Sequence, residues 1–270
     1  MADRFPMGYG AGAGDRMLEE RYGEDYAPRL AVVETAQAMA ESGLSPGTSG
    51  NVSARADESG AMLITPTGVP YADLSVETIV RVEADGTVDE EQLRPSSEWH
   101  FHHAIYRAHP DAGGIVHTHS LSATALSCTR HAIPAFHYMV AIAGGRSIRC
   151  ADYATFGTEA LAQSVLRALE GRRACLMANH GQVALGLSPQ LALALAHEVE
   201  VLAAQYVQVL SMGGGYVLSD EEMDRVIEKF HSYGQQGEEG TGDDEDRARG
   251  GDAAAGPLPD DDFSDVEMGF

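Results

Sequence analysis

The run Gly114-Ile115-Val116-His117-Thr118-His119-Ser120 constrains this chain more than any other stretch. On an extended strand the side chains alternate between faces, so His117 and His119 project from the same side. Two imidazoles placed like this can share a metal ion, provided that the rest of the chain brings further ligands to the same point. Two candidates stand out: Glu98, just after Ser96-Ser97, and His180, in the turn-like Asn179-His180-Gly181. Imidazole nitrogen and carboxylate oxygen both suit zinc and similar ions in compact sites. Spacing alone leaves a purely structural histidine pair as the alternative. The remaining histidines have less claim as ligands; His100, His102, His103 and His109 sit on or beside the segment after Glu98.

Around this strand the patterns alternate between helix and strand. Val32, Val33, Ala36, Met39 and Ala40 recur at helical spacing between Pro28 and Ser42, and Gly43 stops the run. Short strands are predicted at Ala61–Thr65 and Thr78–Glu83, the second followed by an Asp85-Gly86 turn. Ser96 or Ser97 is positioned to cap a helix from Glu98 to about Ala108, ended by Pro110. The strand Gly114–His119 follows, then a helix over Thr158–Leu169 and strands at Ala174–Ala178 and Val183–Gly186. A long helix opens at Ser188-Pro189 and closes near Gly213, with Leu191, Leu195, Val199, Leu202, Tyr206 and Val209 on one core-facing stripe. Helices and strands joined by short turns indicate one α/β domain packed in layers.

Composition excludes several functions. The net charge is −23, and twelve acidic residues against two arginines fall between Gln235 and Phe270. No basic stripe exists to follow a phosphate backbone, so no nucleic-acid partner is expected. No apolar run approaches the roughly 20 residues of a membrane span, and Met1–Tyr26 holds nothing like a secretory h-region. The three cysteines are odd in number and far apart, which fits reduced thiols and a cytoplasmic location. The acidic tail has too little apolar content to offset its ordering entropy and is predicted to be disordered. The expected organisation is a flexible N-terminal extension (1–26), a catalytic domain (27–234) and an acidic tail (235–270).

Three polar turns supply a second element: Gly47-Thr48-Ser49-Gly50-Asn51, Thr65-Pro66-Thr67-Gly68, and Ser96-Ser97 at a helix start. Each offers backbone N–H groups and hydroxyls, which together suit a phosphate monoester if the turns converge.

The order of motifs is similar to that of class II aldolases of the aldolase/adducin family. It comprises residues 47–53, Leu-Ile-Thr-Pro-Thr-Gly (63–68), Pro-Ser-Ser-Glu-Trp-His-Phe-His (95–102), His117-Thr118-His119, Ile133–Met139, Tyr153–Thr158 and Asn179-His180-Gly181. The resemblance runs from about residue 28 to Gly234. It implies a layered domain with a central, mostly antiparallel β-sheet flanked by helices. It also implies a homotetramer with sites between subunits, and a Zn2+-dependent, reversible cleavage of L-fuculose 1-phosphate to dihydroxyacetone phosphate and L-lactaldehyde. Carried over by position, the metal ligands are Glu98, His117, His119 and His180. The phosphate pocket is Thr48, Ser49, Asn51, Thr67, Gly68, Ser96 and Ser97. Phe156 and Tyr233 enclose the aldehyde end with Tyr138, which acts as an acid from a neighbouring subunit. Glu98 doubles as the group that moves a proton at carbon. Ser49 stands where the family's pattern leads one to expect alanine, and the acidic tail follows directly on the segment holding Tyr233.

Other readings remain at this stage. Sugar-phosphate 4-epimerases of the family share the three histidines but carry aspartate in place of Glu98, and other members act on ribulose-type phosphates as aldolases or dehydratases. A non-catalytic scaffold like the adducin head is the alternative from another class. An iron oxygenase of the cupin type also uses His-x-His, but there the carboxylate usually follows closely, whereas Glu98 precedes the pair by nineteen residues.

Overall fold

The computed structural model of the protein describes residues 13–232 and 256–257. In chain order these form helices α1 (Ala13–Tyr22) and α2 (Tyr26–Glu41), strands β1 (Asn51–Arg55), β2 (Met62–Ile64) and β3 (Val80–Val82), helix α3 (Trp99–Ala108), strand β4 (Gly114–Thr118) and helix α4 (Leu121–Thr129). A 3-10 helix at Tyr138–Ala143 precedes β5 (Cys150–Ala151), α5 (Glu159–Leu169), β6 (Ala174–Met177), β7 (Gly181–Gly186) and α6 (Pro189–Ser211). The last elements are β8 (Tyr216–Val217), α7 (Asp220–Ser232) and β9 (Gly256–Pro257). Seven strands make one sheet in the order β3-β2-β1-β4-β7-β6-β5, antiparallel throughout except for the parallel β5–β6 pair. β8 and β9 pair separately. The mostly antiparallel, helix-flanked sheet is as expected.

Strand alternation divides the core into two layers. Val52, Leu63, Val116, Leu176 and Ala184 pack against α2, α4, α6 and the 3-10 helix on one face. Met62, Ile64, Val80, Ile115, Met177 and Val183 pack against α3 and α5 on the other. His117, two residues beyond Ile115, therefore points into the α3 layer. There its ring meets Phe101 edge-on, with centroids 5.5 Å apart.

Several elements differ from the sequence reading. Within the expected flexible extension, residues 13–22 are helical, and the next helix opens at Tyr26 rather than Pro28. β1 covers residues read as the end of a turn, and α4 and the 3-10 helix had no predicted counterpart. The N-cap of α3 is Glu98, not a serine, and its side chain caps nothing. On α6 the buried stripe is Ala192, Leu195, Ala196, Val199, Leu202, Ala203 and Tyr206. Leu191, read as part of the stripe, is instead 54% exposed, its neighbour Ala192 taking the sheet-facing position against Gly186. Tyr233 and the acidic tail, apart from Gly256–Pro257, lie outside the described residues.

β4 and β7 face each other through Gly114 and Gly186. A Cβ on Gly114 would lie 2.2 Å from the backbone nitrogen of Pro189, and one on Gly186 2.4 Å from that of Ala192. Two glycines thus let the first turn of α6 rest directly on the strand that carries the histidines. Backbone cannot yield like a flexible side chain, so Gly114→Ala is expected to destabilise the fold by roughly 1–3 kcal/mol, read as a lowered denaturant midpoint with an unchanged slope. An unchanged midpoint would show that the contact is not needed.

Candidate metal centre

Three chain segments bring the four candidate ligands together. His117 lies on β4, and His119 follows directly after the strand, which ends at Thr118 rather than at His119. The chain is fixed just beyond by Glu200 of α6, whose carboxylate accepts from the backbone N–H groups of Ser122 (2.8 Å) and Ala123 (2.9 Å) at the start of α4. His180 sits in the tight β6–β7 turn, where Asn179 adopts the left-handed region (φ +53°) and His180 N–H donates to Met177 C=O at 3.0 Å. Arg130 Nε holds the Asn179 side-chain oxygen at 2.9 Å. Gly181 allows the turn to reach β4, since a Cβ there would fall 2.3 Å from the Thr118 carbonyl oxygen. Each residue of Asn-His-Gly thus has its own reason.

The three imidazoles stand like blades of a propeller, with ring centroids 4.8–4.9 Å apart and planes inclined at 73–78°. His119 Nε2 is 3.0 Å from His117 Nε2, and the Glu98 carboxylate oxygens lie 3.2 Å from His117 Nε2 and 3.2 Å from His180 Nε2. All four ligand atoms fall within 4.8 Å of one another. Four donors at bonds of about 2.0–2.1 Å around a tetrahedral ion are separated by about 3.3 Å, so these spacings suit one small divalent cation. Two further observations agree. His117 Nδ1 donates to the Gln182 carbonyl at 2.8 Å, which leaves the Nε2 lone pair facing the cluster. Glu98 Oε1 is buried and accepts no hydrogen bond.

Electrostatics hold Glu98 and His119 in ligating forms. Burial pushes the Glu98 carboxyl up, but the adjacent His117 and His180 rings outweigh it and keep the group ionised, well below the usual carboxylate range. Burial and the neighbouring His117 and His180 push His119 down to about 4, so its ring is neutral at pH 7. Burial pushes His117 down as well, and the Glu98 carboxylate more than reverses this.

Beside the cluster opens a cavity of about 320 Å3. Its walls include Thr48, Ser49, Asn51, Thr67, Ser96 and Ser97 together with Glu98, His119 and His180. The three polar turns therefore do converge, drawn together by the bridge between Pro66 and Pro95 and by Ser96 N–H donating to Thr65 C=O at 3.0 Å. Gly68 supplies a left-handed turn (φ +74°) behind Thr67 and is not part of the wall. Phe156 stands at the rim, 63% exposed. Tyr138, on the 3-10 helix, is exposed and does not line the cavity of its own chain. Sequence reasoning missed Tyr153, Ala154 and Asn179 in the wall, although each lies within a quoted motif. It also missed that Asn51 spends its side chain on two buried neighbours, Glu98 and His102.

Fold and cluster together define a mostly antiparallel α/β domain with a His3Glu cluster able to hold a metal ion beside a polar cavity. The chain belongs to the Class II Aldolase and Adducin family, whose N-terminal domain matches residues 30–207. It is 48% identical over 209 residues to L-fuculose phosphate aldolase of Escherichia coli (strain K12), covering 77% of this chain and 96% of that protein. It is 46% identical over 212 residues to the 5-methylthioribulose-1-phosphate/5-deoxyribulose-1-phosphate aldolase of Rhodospirillum rubrum, covering 78% and 95%. Among solved structures, an L-fuculose 1-phosphate aldolase superposes with a TM-score of 0.73 at 38% identity, over 76% of this chain and 96% of that one.

Because a cation that binds the folded form stabilises it by mass action, adding Zn2+ to chelator-treated protein is expected to raise Tm in a concentration-dependent way. His119→Ala is expected to abolish that rise. An equal rise in both proteins would place the bound ion elsewhere.

Proposed function

We propose that this protein is a divalent-metal-dependent aldolase that reversibly cleaves L-fuculose 1-phosphate to dihydroxyacetone phosphate and L-lactaldehyde. The observation that carries this reading is the convergence of three imidazoles and one buried carboxylate on a common point at the edge of a cavity walled by neutral N–H and O–H donors. The 48% identity to an L-fuculose phosphate aldolase supports the substrate. Zn2+ is the ion favoured by the donor set, and Glu98, His117, His119 and His180 would hold it. When bound, such an ion acts as a Lewis acid for the negative charge that carbon–carbon cleavage leaves on the three-carbon fragment.

The chain's own residues supply the rest. Thr48, Ser49, Thr67, Ser96 and Ser97 fix the phosphate through hydroxyls and backbone N–H groups, with Asn51 at the inner wall and Gly68 shaping the turn behind Thr67. In cleavage the hydroxyl on the departing carbon loses its proton as the aldehyde forms, and the carbon left behind gains one. Glu98, a member of the cluster that also lines the cavity, is placed to deliver that second proton in cleavage and to remove it in condensation. Tyr138, exposed on the 3-10 helix, exchanges the first with the aldehyde oxygen of a site on a neighbouring subunit, which fits a homotetramer. Phe156 and Tyr233 close over the aldehyde end. The absence of a membrane-crossing helix among the described residues agrees with action in the cytoplasm. A second reading, cleavage of 5-deoxyribulose-type 1-phosphates, is favoured by the 46% identical relative.

Assay of the purified protein against a panel of ketose 1-phosphates separates these readings. The largest kcat/KM is expected for L-fuculose 1-phosphate; a larger value for a ribulose-type phosphate would favour the second reading, and no cleavage of either would remove the assignment. Glu98→Gln is expected to retain most of the metal and lose about 10²–10⁴-fold in kcat, as for the loss of an acid–base group. Wild-type turnover in that variant would contradict its role in proton transfer.

A further inference from the structure

Behind the cluster, a line of buried polar groups runs from Glu98 and Asn51 to Ser53, His102 and Tyr106, and the proposed mechanism does not use these last three. Asn51 and Ser53 lie two apart on β1 and so share a face, and the register Asn51↔His117 and Ser53↔Ile115 sets that face toward α3. Glu98, His102 and Tyr106 lie four apart at the start of α3 and along it. Four residues of helix and two of strand both advance the chain by about 6 Å, so the two rows match rung for rung. The contacts follow that match. Asn51 Nδ2 donates to Glu98 Oε2 at 3.0 Å, and His102 Nε2 meets Asn51 Oδ1 at 2.5 Å. Ser53 Oγ lies 2.7 Å from His102 Nδ1 and 2.9 Å from the Tyr106 hydroxyl. Ser53 and His102 are wholly buried, Tyr106 is 1% exposed and Asn51 2%, so in the folded chain these groups are satisfied by one another.

Such a line has a single consistent direction. An ionised Glu98 accepts and cannot donate, which turns the Asn51 amide nitrogen toward it and its oxygen toward His102. His102 must then carry its proton on Nε2 and present a lone pair at Nδ1. Ser53 gives its one hydroxyl proton to that lone pair, and Tyr106 donates to Ser53. Complete burial pushes His102 down, in keeping with a neutral ring.

We propose that Ser53 and His102 are positioning residues that, acting through Asn51, hold one oxygen of Glu98 so that the carboxylate meets the metal centre in a single orientation. This rests on reading the four-residue cluster as a divalent-metal centre. Without the His102 donor the Asn51 amide is free to turn over, placing its oxygen against Glu98. Partners that orient metal ligands commonly contribute 10–100-fold to metal affinity or turnover.

The test compares wild type, His102→Leu, His102→Gln and Ser53→Ala after chelation and reloading with Co2+. Co2+ affinity, the visible absorption band of the bound ion, and kcat and KM for L-fuculose 1-phosphate are measured. For His102→Leu, affinity or kcat is expected to fall about 10–100-fold with a shifted Co2+ band and KM nearly unchanged. Glutamine offers an N–H and a carbonyl at similar reach, so His102→Gln is expected to recover most of the loss. If His102→Leu folds poorly, Ser53→Ala decides, because it removes a single oxygen; a band shift and loss of the same sign are expected. Wild-type affinity, band and kcat in Ser53→Ala and His102→Leu, or a change confined to KM, would overturn the proposal. Failure of wild type to bind Co2+ would instead overturn the metal-centre reading beneath it. Tight Co2+ binding without cleavage of the sugar phosphate would leave the positioning role supported and refute the substrate.

Discussion

A carboxylate removed from water must be met by other charges or donors, and this structure is organised around meeting that need at Glu98. The residue is 5% exposed and lies among His117, His180 and Asn51. An isolated buried carboxylate would take up a proton instead of bearing that desolvation. Here the surrounding rings keep it ionised, and a divalent cation held by the same four groups would add a further partner for its buried oxygens. The ligands come from a helix start, a strand end and a turn, so the charge is stable only when the whole sheet has formed. Local chemistry and global fold are thereby tied together.

The sheet supplies the precision that such a centre requires. β4 is central, with β1 on one side and β7 on the other, and both neighbours contribute groups to the site. β1 delivers Asn51, and β7 delivers the Gln182 carbonyl that orients His117. Gln182 is itself held, its amide donating to Ser120 Oγ at 2.9 Å and to Ala196 C=O at 3.0 Å. Helix α6 packs on glycine-bearing strands and caps α4 through Glu200, so the segment after His119 has little freedom. Two exposed aromatic side chains, Tyr153 and Phe156, stand at the rim where the site opens. A rigid floor and an open mouth suit a pocket that must hold a phosphate firmly and admit a second, variable fragment.

Much of this was legible in the residues. The pairing of His117 with His119, the apolar spacing of α2, the places of α3, α5 and α6, and the convergence of the glycine-bearing turns matched what folded, while the stripe read for α6 was right at Leu195, Val199, Leu202 and Tyr206 but not at exposed Leu191. β1 escaped notice because Asn51 and Ser53 are polar, and polar residues on a strand ordinarily mark a solvated face. They are buried because α3 brings matching polar groups, a fact that depends on tertiary contact. α4 was missed because Leu121–Thr129 mixes small and hydroxyl-bearing residues with little amphipathic contrast. The relation Glu98-x-x-x-His102 was visible as a helical spacing, yet nothing in it distinguishes a ligand from a partner of a partner. His102 proved to be the latter. The serine cap of α3 failed for a related reason: the cap position went to Glu98, whose side chain was drawn to the histidines.

Residues separated by more than eighty positions meet at one point fit for a single cation. X-ray absorption at the edge of the native metal, combined with anomalous diffraction from a crystal of the protein, identifies what that ion touches. One site per chain is expected, with three imidazole nitrogens and a carboxylate oxygen from Glu98 at about 2.0–2.2 Å. A metal bound by any other set of side chains, or a Glu98 turned away from a fully occupied site with no substrate present, would contradict it.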